Sequence, residues 1–345
     1  MIDFRYHIVS LISVFLALAV GIALGAGPLK EAIGDTLTGQ VEQLRTEKDT
    51  LRSQLDSTTA ELDDTNGFVG AAAPQLLTGA LADRRIAVIA LGKVSKADAD
   101  ALDAQIVNAG AKVSAHVTIA DVWTDPERRT YRQALVGNLA DYLDPVPAQD
   151  ATLETSLAEA LAQGLTTADP AAPDKLAEPA SLLLQLLSSG DDALVTFRDE
   201  ITAPADAVIV LVPPVRATND SATPASAADA DVATAQIAIL RAAQARSTGA
   251  VLADGPRVDG GLTSRIVDDP DLSGALTTVS GVDRLTGQVS VPLALGARIG
   301  GTNGHYGSGD GETAMPTRVT LPAVVRIPRT TTEQPALGST TGTGG

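Results

Sequence analysis

The stretch AVIVLV at residues 207–212 is the clearest indication of the fold, because its six residues are all apolar and the run ends at Pro213 and Pro214. A run without polar alternation is typical of a strand buried on both faces, as in the middle of a parallel sheet. A second run of this character, IAVIALG, occupies residues 86–92. Three further strand patterns lie at residues 112–119, 249–253 and 275–280, and the first of them alternates.

Helical patterns separate these predicted strands, and they lie at residues 96–109, 126–143, 153–165, 175–187 and 229–246. Strands that alternate with helices predict a parallel sheet covered on both faces, here a doubly wound sheet of the Rossmann or flavodoxin type with five strands. We expect this α/β domain to span residues 71–328, with a helical insertion at about residues 126–190. Residues 214–228 are predicted to be a mobile loop, and the low-complexity tail at residues 329–345 to be disordered.

The segment IVSLISVFLALAVGIALGAG at residues 8–27 contains no charged side chain. At about 1.5 Å per residue it matches the roughly 30 Å thickness of a bilayer's hydrocarbon core. We therefore expect residues 1–27 to form a cytoplasmic N-terminus and an uncleaved, single-pass anchor in the cell membrane, with the bulk of the chain outside the cytoplasm. A cleaved signal peptide, a buried core helix and the opposite orientation are the alternatives.

Small residues recur at every fourth position of this segment and would form one ridge on a helix. They are Ser13, Ala17, Gly21 and Gly25. Such a ridge lets two helices approach closely in lipid, which predicts a helix contact in the membrane. The alternative is that small residues are simply common in an Ala-rich membrane helix.

The next segment, residues 28–70, has apolar residues at alternating spacings of four and three, the heptad pattern of a coiled coil. The apolar positions predicted to form a dimer contact are Leu37, Val41, Leu44, Leu51, Leu55 and Leu62. The polar exceptions in the pattern are Lys48, Thr58 and Thr65. With Leu44 at a d position, Glu47 falls at g and Arg52 at the following e, the pairing of a parallel two-stranded coil. We expect a stalk that makes a parallel homodimer; a lone amphipathic helix packed on its own domain is the alternative.

Composition and motifs exclude several classes of function. The formal net charge of −17 leaves no basic stripe for phosphates, so nucleic acid is not an expected partner. The absence of Cys excludes disulfides, thiolate metal sites and Cys nucleophiles. No GxGxxG follows the first predicted strand, and the chain contains neither GxxxxGK[ST] nor GxSxG. We therefore expect no enzymatic activity and no bound cofactor. Asp254 lies at the end of a predicted strand, and it is either a turn residue or a ligand-binding group.

The most unusual stretch is GGTNGHYGSGDG at residues 300–311, in which six of twelve residues are glycine. Backbone amides in such a stretch can approach a ligand closely. The candidate ligand or partner loop comprises Gly304, His305, Tyr306, Gly307 and Asp310. A long flexible loop without a ligand is the alternative. Metal binding by His305, Asp310 and Met315 would need a further ligand that the sequence does not indicate.

Four parts of the sequence are distinctive. They are the opening MIDFRYHIVSLISVFLALAVGIALGAGPL, the heptad stalk, the strand IAVIALG and the late GHYG at residues 304–307. Together they resemble the actinobacterial family called MctB, for mycobacterial copper transport protein B, whose corynebacterial relatives are called SteB. The resemblance implies a single-span, envelope-facing protein with a stalk and an α/β head. It implies one of two roles: copper efflux or tolerance through an outer-membrane pore, or cell separation with a SteA-like membrane partner and an NlpC/P60 peptidoglycan endopeptidase.

The residue chemistry favours the second role. A copper conduit needs several Cys, Met or His ligands, whereas this chain has no Cys, one internal Met and two His outside the predicted span. A membrane barrel needs many alternating segments without intervening helices, which this sequence lacks. We therefore predict a membrane-anchored coiled-coil scaffold or regulator that acts in cell separation. Copper transport and copper homeostasis, with copper as cargo and an outer-membrane location, is the alternative, and an enzyme of unknown type comes third.

Overall fold

The computed structural model describes residues 4–26, 28–148, 150–213 and 227–328. The chain divides into two compact units, residues 1–67 and residues 68–345. The predicted loop at 214–228 lies outside the described residues except for its last two, which are helical, and the predicted tail lies outside them entirely.

The N-terminal unit is helical. Helix α1 spans Phe4–Ala26, and helix α2 spans Pro28–Leu77, most of it in this unit. The stretch Phe4–Gly25 has a mean hydropathy of 2.6, so α1 is long and apolar enough to cross a membrane. Helix α2 begins at a proline, which suits the first turn because no intrahelical bond needs its N–H there.

The second unit is built on one seven-stranded sheet in the order β3-β2-β1-β4-β5-β6-β7. Its strands are β1 (Arg85–Ala90), β2 (Lys112–Ile119), β3 (Val195–Phe197), β4 (Ala207–Leu211), β5 (Ala250–Ala253), β6 (Thr277–Val279) and β7 (His305–Tyr306). All neighbouring pairs are parallel except β2 and β3, which are antiparallel. The sheet is therefore mixed, with an antiparallel strand at one edge.

Alternate residues of the central strands enter two separate hydrophobic clusters. In β1, Ala87 and Ile89 belong to one cluster, and Ile86 and Val88 belong to the other. The residues of β4 and β5 alternate in the same way. Because successive strand residues point to opposite faces, both faces of the sheet are buried, as the continuous apolar runs predict.

Helices supply the other half of each cluster. On the face of Ala87 and Ile89 lie α4 (Arg129–Leu139), α5 (Leu153–Thr166), α6 (Glu178–Ser188) and α7 (Ala227–Arg246). On the opposite face lie α3 (Lys96–Asn108), α10 (Leu285–Ile299) and the end of α2. Two short helices, α8 (Leu262–Asp268) and α9 (Pro270–Ala275), precede β6. The helices α4 to α6, predicted as an insertion, thus form part of the layer that covers the sheet.

The sequence prediction of five strands is wrong in number. It misses β3 and β7, and it misses helices α8, α9 and α10. The predicted strand at residues 275–280 begins only at Thr277, because Ala275 closes the last turn of α9. The predicted helix at 175–187 begins at Glu178, because Leu176 forms a β-bridge with Ala168. The predicted stalk boundary at residue 70 falls inside α2, whose Ala73 and Leu77 are buried in the α/β core.

Candidate functional site

The ridge of small residues on α1 is open in the single chain. The Ser13 hydroxyl donates to the Val9 carbonyl oxygen at 2.8 Å, so its hydrogen bond stays within the helix. A Cβ added at Gly21 or at Gly25 would meet no other atom within 4 Å. The ridge therefore has no neighbour in the described chain, and a helix contact in the membrane stays a prediction.

The heptad face of α2 is likewise uncovered. The six apolar side chains predicted to form the dimer contact are each between 45% and 66% exposed; they are Leu37, Val41, Leu44, Leu51, Leu55 and Leu62. A row of exposed large apolar residues on one helix marks an interaction surface. Within the described residues nothing covers this face, so the homodimer remains a prediction with an exposed surface to support it.

The glycine-rich stretch is not a loop throughout, because His305 and Tyr306 form strand β7 and pair with Thr278 and Val279 of β6. The His305 Nε2 atom lies 2.9 Å from the Ser273 hydroxyl oxygen and 3.2 Å from the Ser273 carbonyl oxygen. The Nδ1 atom lies 2.9 Å from the Thr278 hydroxyl oxygen. Burial lowers the pKa of His305, and its hydrogen bond to Ser273 and the charge of Glu312 oppose that shift only in part. With both ring nitrogens engaged, His305 has no free lone pair for a ligand.

Glycines next to β7 allow close packing. Tyr306 is 6% exposed, and a Cβ on Gly304 would come within 2.6 Å of the Tyr306 hydroxyl oxygen. Burial also raises the pKa of Tyr306. Gly307 has a φ of +154°, and its Cβ would overlap the Ser280 Oγ at 2.0 Å. These glycines are explained by packing of the protein on itself.

Polar side chains converge at the carboxyl ends of β5, β6 and β7. Asp254 follows β5 and accepts from the Thr263 hydroxyl at 2.7 Å and from the Gly255 N–H at 2.7 Å, while burial raises its pKa. Ser280 follows β6 and donates to Glu312 Oε2 at 2.7 Å, and the Gly309 N–H donates to the same oxygen. Glu312 Oε1 is buried without a hydrogen-bond partner among the described residues.

The exposed residue Asp310 contributes to this edge only through its backbone, since its carbonyl oxygen accepts from Arg257 Nη1 at 2.5 Å. Sequence reasoning singles out Asp254 and Asp310 but misses Ser280 and Glu312. The signal that could have found Ser280 is its place directly after a predicted strand, because carboxyl ends of parallel strands meet at one edge. Nothing in the sequence marks Glu312, which comes to this edge through the turn after β7.

Comparison with known proteins decides the family. Residues 1–317 match the family described as "Copper transport outer membrane protein, MctB". The chain belongs to the MctB family. It is 28% identical to proteins named "Copper transporter MctB" from Mycobacterium tuberculosis and Mycobacterium bovis, over 90% of this chain and 98% of theirs. The protein of that name from Mycobacterium leprae is also 28% identical, over 91% of this chain and 99% of its own length. The resemblance seen in the sequence is thereby confirmed.

This MctB family member offers few copper ligands. Among the described residues there is no group of three or more His, Asp or Glu side chains placed to hold a metal ion, and the chain has no Cys. His116 Nε2 lies 3.0 Å from both carboxylate oxygens of Asp103, and Met315 is 53% exposed.

Proposed function

We propose that this protein takes part in copper transport across the bacterial envelope, as a membrane-anchored assembly component with copper as cargo. The observation that carries this proposal is the family match over residues 1–317, together with relatives named copper transporters that align over nearly their whole length. Residue chemistry alone favours cell separation over copper transport, and the family match reverses that order. We also propose that the protein is not an enzyme and keeps no resident cofactor.

The proposed arrangement uses α1 as an uncleaved, single-pass anchor with a cytoplasmic N-terminus. The charge-free apolar segment supports this arrangement, and the residues that follow it would then lie outside the cytoplasm. The family description names the outer membrane, which is the alternative location. We further propose that the α/β unit is a doubly wound, flavodoxin-like layer, because its parallel strands follow the order β2-β1-β4-β5 with helices on both faces.

A parallel homodimer through α2 completes the proposal. The exposed heptad residues supply the apolar seam, and an anchor at the N-terminus of each chain requires paired chains to run in the same direction. In such an assembly the α/β unit contributes a surface for partner proteins. The assembly transports the copper ion without the need for a set of copper ligands in the α/β unit.

A second candidate function is the SteB-like regulation of cell separation, with a SteA-like membrane protein and an NlpC/P60 peptidoglycan endopeptidase as partners. The observation that favours it is the scarcity of copper ligands among the described residues. Thiolate, thioether and imidazole groups are the usual protein ligands for copper, and His305 has both ring nitrogens engaged.

Deletion of the gene in the organism that carries it distinguishes the two functions. The copper proposal predicts that deleted cells accumulate copper, measured by elemental analysis, and grow poorly at raised copper concentration. Complementation with the wild-type gene restores both. Unchanged copper content together with chains of unseparated cells would reject the copper proposal in favour of the second candidate.

A further inference from the structure

An apolar groove lies beside the end of α7, and it belongs to none of the features described so far. Its volume is about 440 Å³, within the range of about 300–1,000 Å³ that is typical of binding pockets. The segment between α4 and α5, the first turns of α5 and the last turn of α7 form its wall. The apolar residues of the wall are Pro145, Val146, Pro147, Ala148, Ala151 and Ala245.

Hydrogen bonds hold this wall in place. Arg246, which lines the groove, forms an ion pair with Glu159 and donates from Nη1 to the Asp144 carbonyl oxygen at 2.8 Å. The Asp144 N–H in turn donates to Gln163 Oε1 at 2.9 Å, and Gln163 is a buried residue of α5. The groove is therefore preformed, which lowers the entropy cost of binding an occupant.

The groove leaves apolar surface open to water. Val146 is 72% exposed, whereas most large apolar side chains of the α/β unit are buried. Its neighbours Pro145 and Pro147 have no N–H, so this part of the wall cannot bind an added strand through backbone hydrogen bonds. An occupant must therefore be recognised by the packing of its own apolar side chains.

The described chain ends close to this groove. Arg326 forms an ion pair with Asp206, whose carbonyl oxygen accepts from the N–H and the hydroxyl of Thr248 at 2.8 and 2.7 Å. Thr248 lies two residues after Arg246 of the groove wall. The segment that ends at Pro328 is thus connected to the end of α7 by consecutive contacts.

The C-terminal tail, residues 329–345, continues from this point and lies outside the described residues. At about 3.3–3.6 Å per residue, the chain from Arg326 to Leu337 can span about 36–40 Å, which is ample to reach the groove. Leu337 is the one large apolar residue of the tail, and Pro335 and Ala336 precede it. Attachment to the same chain gives such a segment an effective concentration of the order of millimolar, so a weak contact is sufficient to fill the groove.

We propose that Pro335, Ala336 and Leu337 of the same chain dock in this groove, with the Leu337 side chain packed against the apolar wall beside Val146. Arg246 Nη2 makes no hydrogen bond within the described residues, so it is available to a backbone carbonyl oxygen of the docked segment. The tail of a second copy and a segment of another protein are the competing occupants. This interaction is independent of the proposed role in copper transport.

Pairs of introduced cysteines test the proposal in the full-length protein in detergent, because the natural chain contains no Cys. A disulfide needs the two Cα atoms within about 7 Å of each other, so its rate of formation reports on docking. Val146→Cys is combined with Leu337→Cys, and the control combines Leu337→Cys with Val107→Cys. Under mild oxidation, followed on non-reducing gels, the disulfide within one chain should form at least tenfold faster for the Val146→Cys pair.

The control position is stringent because the tail starts near it. Val107 is 61% exposed on α3, which covers the opposite face of the sheet. Arg326 Nη2 donates to the Asp83 carbonyl oxygen at 3.1 Å, and the Asp83 N–H donates to the carbonyl oxygen of Gly110, three residues after Val107. A tail without a docking site would therefore meet a cysteine at Val107 at least as readily as one at Val146.

A second set of variants separates docking from simple proximity. In the Val146→Cys and Leu337→Cys background, Ala245→Trp fills the groove and should slow disulfide formation at least fivefold. Thr234→Trp, at an exposed position of α7 outside the groove, should leave the rate unchanged. Ala148→Cys, at another exposed position of the wall, should react with Leu337→Cys as fast as Val146→Cys does and covers the case in which one variant misfolds.

Three results would overturn the proposal. The first is an equal rate for the groove pairs and the Val107→Cys pair, which would show that the tail has no preferred site. The second is a disulfide that links two chains in place of one within a chain, which would assign the groove to a second copy. The third is an equal effect of Ala245→Trp and Thr234→Trp, including no effect of either, because docking requires the groove to be open.

Discussion

At the scale of single residues, Gly307 shows how little room surrounds the end of β7. Its φ of +154° is rarely adopted by L side chains, and a Cβ would lie 2.0 Å from Ser280 Oγ and 2.4 Å from Glu312 Oε2. Gly307→Ala should therefore lower the free energy of unfolding by at least about 2 kcal/mol. Thermal unfolding of the full-length protein measures this. Gly274→Ala is the matched control, because a Cβ there meets no atom within 4 Å; equal stability of the two variants would contradict the description of this turn.

The buried imidazole of His305 predicts a pH dependence of stability. Because burial lowers its native pKa below the ordinary value of 6.5, the unfolded chain binds the proton more readily. The stability contributed by neutral His305 is present above about pH 6.5 and is lost as the pH falls through the lowered native pKa. The difference in unfolding free energy between wild type and His305→Asn should thus shrink from pH 7.5 to pH 5. A difference that is constant across this range would show that His305 does not titrate as described.

At the scale of elements, the charges on α2 favour a parallel arrangement of the proposed dimer. Glu47 at g and Arg52 at e attract each other across a parallel dimer, whereas an antiparallel dimer would place like charges together. Glu47→Arg should weaken the dimer by about 1 kcal/mol, roughly fivefold in Kd, since each dimer contains two such pairs. Adding Arg52→Glu should restore it. Sedimentation equilibrium in density-matched detergent measures both variants, and a double variant no tighter than the single one would contradict the parallel register.

The central elements could be predicted from the sequence, because their patterns are local. The strands β1, β4 and β5 are continuous apolar runs, and Ser95 caps the start of α3, because its side chain accepts from the Asp98 N–H. The sequence pattern misses helix α10 because this helix is buried nearly all round and contains Pro292, so it has no polar face to give a helical period. It misses strand β7 because that strand has only two residues and lies among glycines.

The sites were less predictable than the fold. The heptad residues follow from a regular spacing, and the structure leaves them exposed. The glycine-rich stretch predicts a loop. In the structure His305 belongs to a strand that pairs with β6, and its ring contacts Thr278, which is 27 residues away in the sequence.

At the scale of the whole molecule, the proposed topology is open to a reporter experiment. A reporter enzyme that is active only outside the cytoplasm should work when it is fused after residue 200, because a charge-free span follows a short N-terminal flank. N-terminal sequencing of the mature protein should begin near Met1. An inactive but stable fusion would reverse the orientation, and a sequence that begins near Ala26 would show cleavage instead.

A complementation experiment tests the proposal that the protein serves copper transport as an anchored dimer. Cells that lack the gene receive the wild type, Leu51→Asp on the exposed heptad face, or Gln43→Asp at the outward c position of the same helix, at equal protein levels. Cellular copper is then measured by elemental analysis. A role as an anchored dimer predicts normal copper content with the wild type and with Gln43→Asp, and copper accumulation with Leu51→Asp. Normal copper content with Leu51→Asp would contradict it.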